Sequence, residues 1–305
     1  MFGYLRFLLA NLVLLSHTGT NPSWGNVGAI SVVIFYMLSG YANANIFTNC
    51  LNKNKIKNFY LDRITRIFPL YIVILIMYIL VLNFYEFSFG FLEIFLNSIL
   101  IPCNYLRYPI IPVSWSLSLE FQAYLLLPFL FRKRLILNLL GSASLLIFLL
   151  SNLSFLDKYE WGYYKLPGVF FIFIIGALFV LNKGTIFLFI ICSMVVLFSI
   201  TGMTLIELGI INRGGFQSEV LLGISLGILL IYLLKNKRKV IFDKELGSIS
   251  YGVFLIHYLF IIIFSKLHIG HFLFNVIVII ASFTASYLLY YLFEKKITEW
   301  RIKKS

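Results

Sequence analysis

IFPLYIVILIMYILVLNF, residues 67–84, runs for 18 residues without a charged side chain. As an α-helix, at 1.5 Å per residue, it covers about 27 Å, close to the hydrocarbon thickness of a bilayer. Apolar runs bounded by charge, Gly or Pro recur on both sides of it, near residues 4–20, 28–47, 114–131, 135–151, 167–181, 185–202, 219–234, 247–266 and 271–293. The composition agrees, with 61% of the 305 residues apolar, 18% aromatic and only 12% charged. A soluble domain has about twice that share of charge. The fold class expected is all-α: a polytopic membrane protein with about ten transmembrane helices, forming one transmembrane domain over residues 1–305. The stretch 88–103 is apolar but short, and Pro102, Pro109 and Pro112 break its surroundings. It reads as an interfacial or re-entrant piece.

The chain carries 25 Lys and Arg against 12 Asp and Glu, a net charge of +13. In a soluble protein such an excess suggests nucleic acid. Here the positive-inside rule accounts for it. With ten spans and both termini cytoplasmic, 20 cations fall inside and 5 outside. Membrane lipids are therefore the expected surroundings, with no nucleic-acid partner. Cys50, Cys103 and Cys192 show no metal-ligand spacing, and no metal is expected. The same topology puts Cys50 inside and Cys103 outside, where an impermeant thiol reagent should reach it. No small-residue cleavage pattern follows the first apolar run, which reads as a retained helix.

Ionisable groups inside spans are costly and so mark functional candidates. Arg6 and His17 share the first helix, 11 residues apart, which separates them by about 16 Å of rise. Arg6 would lie near the cytoplasmic face and His17 toward the outer half. Taken alone, Arg6 also reads as an inside anchor and His17 as an interfacial histidine. Glu120 follows Trp115 within a span, where an acid needs a partner. His257 sits about ten residues into its span, so it reads as deeper than His17 and farther from the outer mouth. Arg63 and Arg66, at i and i+3, share a helix face. Guanidinium forks on one face can hold phosphates, although the positive-inside rule would also put them there. Glycine-rich phosphate loops and nucleophile elbows are absent.

Together these residues match one pattern. RFLLANLVLLSH, residues 6–17, has Arg6 and His17 at Arg-x10-His spacing. FYMLSGY covers 35–41, and FYLDRITRIFPLY covers 59–71 with Arg63 and Arg66 as Arg-x-x-Arg. WSLSLEFQAYLLLPFL covers 115–130 and supplies Trp115, Ser116 and Glu120; SYGVFLIH covers 250–257 and supplies Tyr251 and His257. In these segments the sequence resembles the acyltransferase-3 family of integral-membrane acyltransferases, over nearly its whole length. FEKKITEW, residues 293–300, departs from the family's Glu-x-Pro ending. The likeness is to the stand-alone type without an SGNH hydrolase-like domain, found in the bacterial inner membrane.

The resemblance implies transfer of an acetyl group from cytoplasmic acetyl-coenzyme A, as co-substrate, to a hydroxyl of a surface glycan or lipid-linked oligosaccharide. On that reading His17 is general base or covalent acyl carrier, and Glu120 orients its imidazole. Arg6, Arg63 and Arg66 hold the donor's phosphates, while Trp115, Ser116, Tyr251 and His257 are structural or positioning. A transporter or flippase for a lipid-linked glycan is the alternative, since intramembrane His, Glu and Arg also suit a translocation path. Such transporters usually carry paired repeats with broken helices, and none is found here.

Overall fold

The computed structural model describes all residues except 23–24, 52–55, 107, 154, 182–200, 202–203, 205–216, 239, 268 and 298–305. Among the described residues there are ten α-helices and no strand. They are α1 (Phe2–His17), α2 (Val27–Leu51), α3 (Ile56–Phe84), α4 (Phe91–Ile99), α5 (Ser114–Arg132), α6 (Arg134–Asn152), α7 (Leu166–Leu181), α8 (Gln217–Leu234), α9 (Asp243–Phe264) and α10 (His271–Leu289). Among the described residues, six helical segments are long and apolar enough to cross a membrane, and Phe2–His17 and Ser218–Leu234 are shorter apolar helices. The expected span over 185–202 lies largely outside the described residues. Ile76, Leu80 and Phe272 are more than half exposed. On a soluble surface such side chains would be a liability, whereas here they face lipid.

The chain divides into two compact units. One contains Met1–Thr20, Lys57–Phe121 and the chain from Arg238 on; the other contains Asn21–Ile56 and Gln122–Lys237. In the second unit α7 is buried nearly all round and crosses α2 through glycines. A Cβ on Gly40 would stand 1.9 Å from the Phe173 carbonyl oxygen, and one on Gly176 1.9 Å from that of Met37. Close backbone approach of this kind replaces the hydrophobic effect as the glue between helices in lipid. Glu219, at the start of α8, accepts the Asn26 N–H at 3.1 Å and so caps α2.

Every candidate site residue belongs to the first unit, and its frame is the pair α1 and α9. The Asp243 carboxylate accepts the Gly3 N–H at 2.9 Å, satisfying an orphan donor at the start of α1. The two helices therefore begin at one level and run parallel. Gly3 lets them touch, because a Cβ there would sit 1.6 Å from the Asp243 carbonyl oxygen. Gly3→Ala should then cost about 1–3 kcal/mol, the usual range for forced overpacking. Gly90→Ala is the control, since nothing stands within 4 Å of its Cβ position. Thermal unfolding of both variants in detergent checks this, and equal midpoints would deny the close crossing. Phenols lace α3 to α9: Tyr251 donates to the Ile67 carbonyl at 3.0 Å and Tyr78 to that of Leu255 at 3.2 Å.

The broken stretch after α3 combines an exposed short helix with a buried loop. α4 exposes Phe91, Leu92 and Phe95, yet its Asn97 is fully buried. The Tyr71 hydroxyl donates to the Asn97 carbonyl at 2.8 Å, and Tyr71 lies halfway along α3. The Asn97 side chain accepts the Ile110 N–H at 2.9 Å, and Ser118 Oγ donates to the Ile101 carbonyl at 2.5 Å. Irregular backbone buried in the protein survives because side chains satisfy it.

This burial corrects one expectation. Cys103 is 0% exposed, with its sulfur 3.8 Å from the Tyr71 hydroxyl, so the folded protein does not present it to a reagent. The exposed Ser88 of the same segment is presented. The Ser88→Cys variant should react with an impermeant maleimide on intact spheroplasts, and Cys103 only after denaturation. Labelling of that variant solely in inverted vesicles would reverse the orientation drawn from the cation count.

Candidate active site

Gly3 and Asp243 fix the level at which α1 and α9 start, and His17 and His257 each lie 14 residues further on. Both histidines therefore stand about 21 Å along the pair. Their ring centroids are 5.4 Å apart, with 30° between the planes. Span arithmetic put His257 deeper and farther away; the parallel register makes the two neighbours. Tyr258 adds an edge-to-face contact to His17 at 5.5 Å. This tyrosine was missed in the sequence, where its only signal is its place beside His257.

The two imidazoles differ in environment. His257 is 0% exposed, its Nδ1 bonds the Val253 carbonyl at 3.0 Å, and its Nε2 is buried without a hydrogen-bond partner. A carbonyl only accepts, so Nδ1 carries the proton and Nε2 holds a bare lone pair. His17 ends α1 and is exposed.

The cations gather at the other end of the pair. Arg6 lies 11 residues, about 16 Å of rise, before His17. Arg66 donates from Nη2 to the Gly247 carbonyl at 3.3 Å, and Gly247 is ten residues, about 15 Å, before His257. Arg63 is committed elsewhere: it is 5% exposed and forms an ion pair with Asp62, with its Nε donating to Oδ2 at 3.0 Å and its Nη2 closer still. The expected two-arginine clamp is thus uneven, with Arg66 holding more uncommitted donors.

Between these ends lies a mixed polar cluster. The Tyr251 phenol is within electrostatic range of Glu294, Glu120 and Arg66. Glu120 belongs to this cluster, and Tyr251 is six residues, about 9 Å of rise, before His257. Glu294 was passed over in the sequence, although FEKKITEW contains it; it is 8% exposed. Ser116 is buried and its hydroxyl donates to the Val113 carbonyl at 3.0 Å, a structural use. Trp115, at the start of α5, is half-buried. No group of three or more metal-ligating side chains exists among the described residues.

Comparison with known proteins gives three findings. A family model described as an acyltransferase domain matches residues 2–291. An uncharacterized protein of Aquifex aeolicus (strain VF5) is 34% identical over 197 residues, which are 63% of this chain and 89% of that protein. No solved structure matches.

Proposed function

The chain belongs to the acyltransferase-3 family and is a membrane acyltransferase, and from that premise we propose that it moves an acetyl group from cytoplasmic acetyl-coenzyme A to a hydroxyl of a surface glycan. The acceptor is O-antigen, capsule or exopolysaccharide, reached at the outer face of a bacterial inner membrane with both termini cytoplasmic. The split of 20 cations against 5 supports that orientation.

One observation carries the reading: Arg6 on α1 and Arg66, bonded to Gly247 of α9, meet the helix pair about 16 Å along it from the histidines. Coenzyme A has its negative charge at one end and its thioester at the other. The pantetheine arm between them has roughly the backbone length of four residues, about 14 Å when extended. Phosphates held by Arg6 and Arg66, with Arg63 behind them, bring the thioester to His17. The polar cluster of Glu120, Tyr251 and Glu294 lines the way. His17 takes the acceptor's proton as general base, a task for which a neutral imidazole suits physiological pH.

The test combines purified protein, acetyl-coenzyme A and the surface glycan of the source strain, stripped of ester groups by mild alkali. Thioester loss matched by acetyl ester on the glycan is the expected result. A glycan that gains no ester while the thioester stays intact would refute the proposal and leave the transporter reading.

A further inference from the structure

A general base of this kind needs its tautomer fixed, and Glu120 was the residue expected to do it. No hydrogen bond or ion pair reaches His17 among the described residues, and Glu120 groups with Tyr251 further down the helix pair. We propose that His257 is the positioning residue for His17: its bare Nε2 accepts the N–H of one His17 ring nitrogen and leaves the other nitrogen free to take the hydroxyl proton. The inference rests on the function proposed above and deepens it.

Three observations carry it. The Val253 carbonyl holds the proton on Nδ1 of His257, so Nε2 is an acceptor. That nitrogen is buried without a partner, a state that native interiors rarely tolerate. The ring separation is 5.4 Å with 30° between the planes, an offset stack. It is close to the centroid distance of two imidazoles joined by an N–H···N bond, roughly 5.2 Å from a bond near 2.9 Å plus two ring radii. The bond asks the exposed His17 to turn about χ2, a broad torsion.

The chemistry then balances. The acceptor oxygen bonds to the acetyl carbon while its proton moves to the free nitrogen of His17. The carbon–sulfur bond breaks, and the departing thiolate takes that proton. Ester and thiol replace hydroxyl and thioester, and His257 remains neutral throughout.

Three substitutions in the full chain separate this role from packing. His257→Gln keeps an acceptor where Nε2 stood. His257→Asn keeps the bond to Val253 but has nothing at the outer position, and His257→Leu has neither. The expected pattern in single-turnover transfer is near-normal rate for Gln and a loss on the order of 100-fold for Asn and Leu, at unchanged KM for acetyl-coenzyme A. Wild-type rates in Asn, or a Gln variant as slow as Leu, would overturn the inference alone. Absence of transfer by the unaltered protein would remove the proposed function itself.

Discussion

His17→Ala should abolish acetyl transfer, lowering the single-turnover rate on the order of 10³-fold, while expression and acetyl-coenzyme A binding stay close to wild type. The residue sits at the end of α1 and is exposed, so losing its ring opens no cavity in a packed core. The donor's phosphates are bound about 16 Å away along the same helix, beyond the reach of that substitution. Arg6 belongs to the same motif but has a different task. A guanidinium stays protonated and cannot take a hydroxyl proton, so Arg6→Ala should act on donor affinity instead. Transfer measured beside donor binding in purified variants distinguishes the two. If His17→Ala keeps its transfer rate while His257→Ala loses it at intact donor binding, the base is His257 and the acceptor site moves with it.

The helix content and the membrane class were legible because each apolar run reports its own surroundings. Residues 67–84 read as a span without reference to any other part of the chain, and they lie within α3. What the runs do not contain is the register between distant helices. His257 looked deeper than His17 because its depth was counted from the hydropathy edge near residue 247. The polar turn Asp243–Leu246 is already helical, and Asp243 fixes the level against Gly3. One side-chain bond across 240 residues of sequence thus decides the juxtaposition of the two rings. Glu120 was assigned to His17 on the premise that their helices pack, and nothing local to either helix could test that. Glu219 looked like the edge of a span, although it caps a helix some 190 residues away. The broken stretch after α3 was half legible: its prolines announced irregular backbone, but the groups that satisfy it, Tyr71 and Ser118, come from flanking helices.

Donor affinity should separate the two arginines that the Arg-x-x-Arg spacing presents as equals. Arg66 spends one Nη2 donor on the Gly247 carbonyl, at a long 3.3 Å, and its remaining donors are available to a phosphate. Arg66→Ala should weaken acetyl-coenzyme A binding by about 1.5–3 kcal/mol, the range of a lost charge-assisted contact, or about 10- to 150-fold in Kd. Arg66→Lys should recover only part of this, because a point charge cannot reproduce a planar fork. Arg63 is buried against Asp62, and its removal leaves a half-buried carboxylate without its counter-charge. Arg63→Ala should therefore lower the thermal midpoint more than Arg66→Ala does, and change donor affinity less. Calorimetric titration of acetyl-coenzyme A into both variants, with unfolding followed in parallel, measures both effects. Equal losses of affinity at equal stability would mean that the Asp62 pair opens to admit the donor, and that both guanidinium groups share its phosphates. An Arg66→Ala variant with wild-type affinity would reduce Arg66 to an anchor for topology and move the phosphate site toward Arg6.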